Sequence, residues 1–259
     1  MQHVRAAFFG GIYSNWLALD EALRDARRRG AEAVYCLGDL GAFGPHPDRS
    51  IELLRAQGVP TVQGNYDESV GNGRPDCGCG YTDPRDNHYA RLSYAYTQEK
   101  TSALHKPWLA ALPQSLSFEH AGLRYSLVHG SPRQQNEFLW ETAAPDHLLE
   151  RLCGDADVLL CTHTGLHWQR ALPSGKRVVN VGALGRPAND GRTCVWYALL
   201  DTDAAQPFQF IPVEYDHRAL AREMLSEKLP AEFVETVLTG WWTTCLEILP
   251  AKERLRGRY

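Results

Sequence analysis

The 259-residue sequence is poor in the features that would settle its class at once. It has no apolar run near the ~20 residues of a membrane span, and "MQHVRAAFFGG" is too short an apolar start for a secretory signal. It has little charge excess. A formal net charge of -4 and a pI near 6.2 give no general cationic field, which argues against sequence-independent binding of nucleic acid. It has no cysteine framework either: seven cysteines, an odd number, are scattered, several in apolar contexts such as "VYCLGD" and "VLLCTH". That pattern points to a soluble cytoplasmic protein whose core does not depend on disulfides.

What is present is a series of short apolar runs, each closed by glycine or a polar turn. "VRAAFFGG", "AEAVYCLGD", "VPTVQGN", "LRYSLVHG", "ADVLLCTHT", "KRVVNVGAL", "CVWYALLD" and "PFQFIPVEY" read as strands. Helical patterns lie between the earlier ones, over residues 15–29, 47–57 and 86–99. Strands alternating with helices imply an α/β fold, and the closing run of adjacent strands implies a second sheet with antiparallel pairing. Residues 71–84, "GNGRPDCGCGYTDP", are aperiodic and glycine-rich and read as an inserted loop. Residues 216–259 read as a helical extension, so one domain over 1–259 is expected.

In an α/β fold the ligand site forms at the carboxyl ends of the strands. The residues closing the runs are therefore the ones to inspect, and they include Asp39, Asn65, His129 and His163. Any one has a bland reading: Asp39 and Asn65 as turn or helix caps, each histidine as a hydrogen-bonded structural group. Four donors at four successive strand ends are another matter. A carboxylate, an amide oxygen and two imidazoles suit one divalent or trivalent transition metal, Fe, Mn, Co or Zn, with positions left for water.

The order "GDLGAFGPHP", "GNYDE", "VHGSP", "CTHTG" and "NVGALGRP" resembles the calcineurin-like metallophosphoesterases. The resemblance spans about the first 190 residues and implies a four-layer α-β-β-α sandwich of two mixed β-sheets flanked by helices. It also implies a metal-dependent phosphoesterase acting on a small, anionic, phosphorylated or nucleotide-like substrate. The family's opening block is "SDIHGN" where this chain has "GGIYSN", so Gly11 and Tyr13 stand at the positions of an aspartate and a histidine. Gly165 stands at the second histidine of the family's Gly-His-x-His block. These three are the family ligands exclusive to one of its two metals. The set implied for the other metal, Asp39, Asn65, His129 and His163, is complete, so the resemblance implies a site halved by metal rather than decayed at random.

Further candidates follow from position. Tyr66 replaces the family's leaving-group histidine and, with Asp67 and His167, is a candidate catalytic group; His167 is near enough in sequence to the missing histidine to take its place. Arg133 after "HGSP" and Arg186 after "GALG" are expected at the pocket mouth as phosphate clamps, with solvated loop arginines as the plain alternative. Tyr13 is a candidate for substrate or, as phenolate, metal contact; a packed turn aromatic is the alternative. Asp83, Arg85 and His88 are weaker candidates from the insertion. Cys77 and Cys79 offer two thiols for a soft metal or a redox role. Trp241 and Trp242 are candidates to cover a pocket or form a dimer contact, with ordinary core packing as the plainer reading. Two other functions stay open: a mononuclear redox or non-phosphoester enzyme, and a ligand-binding protein without catalysis.

Overall fold

The computed structural model describes residues 4–254. Strand β1 (Arg5–Phe9) is buried on both faces, and its alternation explains the layering. Ala6 and Phe8 point one way, into a cluster with Leu127, Leu160 and Val179; Ala7 and Phe9 point the other way, into a cluster with Ala18, Leu19 and Ala22. One face of the strand thus meets a second sheet and the other meets helices.

Helix α1 (Trp16–Arg28) follows directly. The Asn15 side chain caps it by accepting from the Ala18 N–H at 3.1 Å, and Arg27 and Arg28 stand in its last turn, where cations suit the helix dipole. Strand β2 (Ala33–Cys36) pairs parallel with β1, and helix α2 (Pro47–Ala56) returns over the sheet. Then come short α3 (Asn65–Gly71), long α4 (Pro84–Lys100) and α5 (Lys106–Ala110).

The second half supplies β3 (Ser115–His120), β4 (Leu123–Val128), α6 (Asp146–Cys153), β5 (Val158–Cys161), β6 (His167–Ala171), β7 (Arg177–Val181), β8 (Val195–Asp201) and β9 (Phe208–Val213). Helices α7 (His217–Ser226), α8 (Ala231–Thr239) and α9 (Ala251–Arg254) end the described chain. The sheets have the orders β2-β1-β8-β9 and β3-β4-β5-β7-β6, each with parallel and antiparallel pairs. Leu159, Cys161 and Val178 turn outward toward Leu149 and Cys153 of α6, which completes the sandwich of helix, sheet, sheet and helix. The fold class expected from sequence is the one observed.

Three expectations are corrected. "VPTVQGN" is not a strand: it makes a single bridge, Cys36 to Thr61, beside Pro60, which has no N–H to donate. The strand-rich second half does form a second sheet with antiparallel pairs, but its last two strands, β8 and β9, join the first sheet instead, where β8 runs antiparallel to β1. The edge strands β3 and β6 were not read from sequence. Both are short, and β3 is exposed at every second residue, so its apolar signal is weak.

Parallel pairing decides where the site lies. β1 with β2, and β4 with β5 and β7, run the same way, so the turns after them gather at one edge. Backbone in the left-handed region, costly for residues with a Cβ, recurs there: Tyr13, Ser14, Asp39, Ala42, Phe43 and His163 all have positive φ.

Candidate active site

Asp39 follows β2, and its carboxylate is almost fully enclosed. One oxygen accepts from the Tyr66 N–H at 3.0 Å; the other lies 3.2 Å from His129 Nε2. His129 follows β4. Its Nδ1 donates to the Leu37 carbonyl at 2.6 Å, which leaves Nε2 facing the cluster. His163, after β5, brings Nδ1 to 3.1 Å from His129 Nε2. Ligand atoms of Asp39, His129 and His163 all lie within 4.8 Å of one another.

Asn65 opens α3. Its side-chain N–H donates to the Cys77 carbonyl at 2.8 Å, and its Oδ1, buried, has no hydrogen-bond partner among the described residues. An unpaired buried acceptor is costly and calls for a ligand. A carboxylate and two imidazoles at one point, with an unpaired amide oxygen lining the same cavity, fit a borderline divalent metal.

The electrostatics divide the two imidazoles. Burial works against a charge on Asp39, but His129, His163 and the Tyr66 N–H hold its carboxyl below the ordinary range. Burial lowers His129 as well, yet the Asp39 carboxylate outweighs it and raises the imidazole above its usual value. Burial, with the charge of His129 beside it, pushes His163 down to about 3. The result is one neutral imidazole with its lone pair available.

The second side of the pocket is built from bulk. The Tyr13 ring lies folded over Gly11, and a Cβ added at Gly11 would stand 2.8 Å from the Tyr13 hydroxyl oxygen and closer still to the ring. Gly185 makes the opposite wall of this slot, where a Cβ would collide with Tyr13. At Gly165 a Cβ would lie 3.1 Å from the Trp242 ring and 3.4 Å from the Arg186 guanidinium. The room that side chains at 11 and 165 would need is taken up by Tyr13, Trp242 and Arg186. The guanidinium carbon of Arg186 sits 3.4 Å from the Trp242 ring centroid, 5.9 Å from that of Tyr13 and 6.0 Å from that of Phe43. Trp242 is fixed by its own indole N–H, which donates to the Pro187 carbonyl at 2.6 Å.

Between the two sides lies a cavity of about 50 Å³, lined among others by Tyr13, Asp39, Asn65, Tyr66, His163 and Arg186. That is room for a few waters or one small anion. Of the candidates read from sequence, these six are brought together, with His129 directly behind them. Burial raises the phenols of Tyr13 and Tyr66 well above their ordinary values, so both hydroxyls keep their protons. The Tyr66 hydroxyl turns toward α4, 3.1 Å from Ser93 Oγ.

The other candidates lie elsewhere. Asp67 is beneath the site: its carboxylate accepts from the N–H groups of Asp39 (2.8 Å), Gly64 (2.8 Å) and Leu40 (3.0 Å). Burial and the neighbouring Asp39 carboxylate push Asp67 up to about 7, against those donors, which favour its charged form. His167 does not fill the place of the missing histidine, which Trp242 and Arg186 take; its ring packs between Trp196 and Phe210, centroids 4.6 and 4.7 Å away. Arg133 is not at the pocket mouth; it pairs with Glu137 four residues on, with over half its side chain in water. Asp83 caps α4, Arg85 donates to the Thr243 carbonyl at 2.8 Å, and His88 packs edge-on against Tyr89.

Cys77 and Cys79 are joined to each other as a disulfide, so neither is a free thiol for a metal. The other five cysteines are free and buried. Of the readings open for Trp242, it combines two: the indole is buried in the core and also forms a wall of the site, set by Gly165 and Arg186. No helix among the described residues is long and apolar enough to cross a membrane.

The chain was compared with known proteins. A protein from Methanocaldococcus jannaschii without assigned function is 24% identical over 249 residues, covering 90% of this chain and 97% of that one. The crystal structure of a metallophosphoesterase from Sphaerobacter thermophilus is similar with a TM-score of 0.70 at 25% identity, covering 92% of this chain and all of that one. A hypothetical protein from Pyrococcus horikoshii shares the fold with a TM-score of 0.75 at 23% identity, covering 93% of this chain and all of its own. The model of the calcineurin-like phosphoesterase superfamily domain matches residues 7–205. With a match over most of its length, this chain belongs to the calcineurin-like phosphoesterase superfamily and is a hydrolase of the metallophosphoesterase kind.

Proposed function

We propose that the protein hydrolyses a phosphoester bond in a small anionic compound, phosphorylated or nucleotide-like, with the help of a single transition metal. Asp39, Asn65, His129 and His163 would hold that metal, and Fe, Mn, Co and Zn all suit the donor set. The observation that carries this reading is the unequal fate of the two sides of the pocket: the Asp39, His129 and His163 ligand atoms converge on one, with the unpaired Asn65 Oδ1 in the same cavity lining, while packed rings take the room on the other. Bound there, the metal supplies a Lewis acid for a phosphoryl oxygen and a lower pKa for a coordinated water.

The chain's own residues do the rest. The Leu37 carbonyl fixes the tautomer of His129, and the Cys77 carbonyl fixes which end of Asn65 faces the pocket. Asp67 anchors the turn that carries Asp39. The hydroxyls of Tyr13 and Tyr66 retain protons at neutral pH, so neither is a ligand in phenolate form, and that of Tyr66 is engaged by Ser93 of α4. A cytoplasmic place of action and one domain over 1–259 belong to the same proposal.

The test is metal content per chain, on protein purified without chelator, beside hydrolysis of p-nitrophenyl phosphate and its diester. About one transition metal per chain is expected in the parent and none in an Asp39→Ala, His129→Ala double variant, with turnover lost in the variant. Two metals per chain would overturn the single-metal reading. A metal-bearing parent that turns over neither compound nor any other phosphoester, yet binds phosphate, would make it a binding protein.

A further inference from the structure

Arg186 is an unusual residue in this structure. It is 7% exposed, and it makes no hydrogen bond and no ion pair with any described residue; its buried Nε is without a partner. A guanidinium carries five N–H donors and a charge that cannot be given up by deprotonation. Taking such a group out of water is expensive unless an anion and hydrogen-bond acceptors meet it. The face of Trp242 at 3.4 Å offsets part of that cost through the ring's electron-rich face. Stacking of this kind leaves the guanidinium edge, where the donors are, unused.

The edge borders the same cavity as Asp39, Asn65 and His163. Its position is held from three directions: by Trp242, by Tyr13 in its glycine slot, and by Phe43. A long flexible side chain kept in one orientation, charged and unpaired, at the edge of a cavity of about 50 Å³ is a site arranged for a ligand from outside. The ligand must be anionic, small at the end that enters, and able to present two oxygens side by side to a planar fork. Asp39 cannot serve, since its carboxylate is already engaged by His129 and by the Tyr66 N–H.

We propose that Arg186 is the anion-binding half of the site: its guanidinium, held by Trp242 and Tyr13, receives two oxygens of the substrate's phosphoryl group on the side where positions 11, 13 and 165 carry no donors. A fixed organic cation thereby takes over the charge-neutralising part of a second metal, though not its ability to activate water. The placement of the phosphoryl group between this cation and the donor cluster rests on the proposed metal reading; the anion site itself does not.

The test is calorimetric titration of the purified full-length protein with inorganic phosphate, for the parent, Arg186→Gln and Arg186→Lys, with metal content measured on each. Arg186→Gln should weaken phosphate binding about 10- to 100-fold while the metal content stays that of the parent. Arg186→Lys, which keeps the charge and loses the fork, should weaken it about 3- to 10-fold. Phosphate affinity of Arg186→Gln within about two-fold of the parent overturns the proposal. If Arg186→Gln does not fold, the parent labelled with ¹⁵N decides: the Arg186 Nε–H resonance, identified by its absence in Arg186→Lys, must shift on adding phosphate, and no shift at saturation overturns the proposal. Loss of phosphate affinity in Arg186→Gln, in a protein whose metal content is indifferent to Asp39→Ala, His129→Ala, would sustain the anion site and remove the metal reading.

Discussion

On one side of the pocket, short polar side chains in the turns after the strands and at the start of α3 face one cavity, each steered by a backbone group: Leu37 for His129, Tyr66 for Asp39, Cys77 for Asn65. On the other side, large side chains meet by exclusion, where Tyr13 fits because Gly11 and Gly185 have no Cβ, and Trp242 and Arg186 fit because Gly165 has none. The first side is specified by hydrogen bonds over short stretches of chain, and the second by the shapes of residues far apart in sequence. The difference teaches that a glycine at a pocket wall need not leave a hole: beside Gly11 and Gly165 the volume is filled by Tyr13, Trp242 and Arg186.

The comparison can be broken most forcefully from beneath. Asp67→Ala removes the acceptor of three buried N–H groups, so a loss of about 3–5 kcal/mol in denaturant unfolding is expected, with metal binding lost alongside as the turn carrying Asp39 loosens. A loss under about 1 kcal/mol would mean that the donor side does not depend on this anchor.

Restoring the family's histidine is the next test. Gly165→His places a Cβ against Trp242 and Arg186 at a residue whose φ is +74°, and a cost of about 1–3 kcal/mol is expected with no second metal gained. A second metal in that variant would show the bulky side to be a thin filling over an intact site. The smallest effect is expected at Arg133→Ala: a change within about 0.5 kcal/mol and an unaltered phosphate titration, because its pairing with Glu137 is at the surface. A clear loss of phosphate affinity there would move the anion site away from Arg186.

How far the sequence could be read follows the same division. The donor side was legible because strand ends are local signals: a run of apolar residues, then "GD", "GN", "HG" or "TH". The layers were legible through the resemblance of these blocks to the calcineurin-like family rather than from any single strand. The helices over 15–29, 47–57 and 86–99 were found to within a few residues because their patterns lie between apolar runs. What failed was non-local. That β8 pairs with β1, and that Tyr13 lies against Gly185, are contacts that no window of sequence contains. Arg133 misled by adjacency: it is four residues from a donor histidine, but the chain turns outward at once, and Glu137 was the nearer partner. His167 misled likewise, since its strand directs the ring toward Trp196 and Phe210.

Trp242 comes after all nine described strands in the order of synthesis. The donors at 39, 65, 129 and 163, and both sheets that carry them, leave the ribosome before the indole against which Arg186 lies flat. A growing chain therefore has everything needed to gather the donor cluster while the guanidinium still swings free. The last piece of the pocket to arrive is the one that holds its cation still.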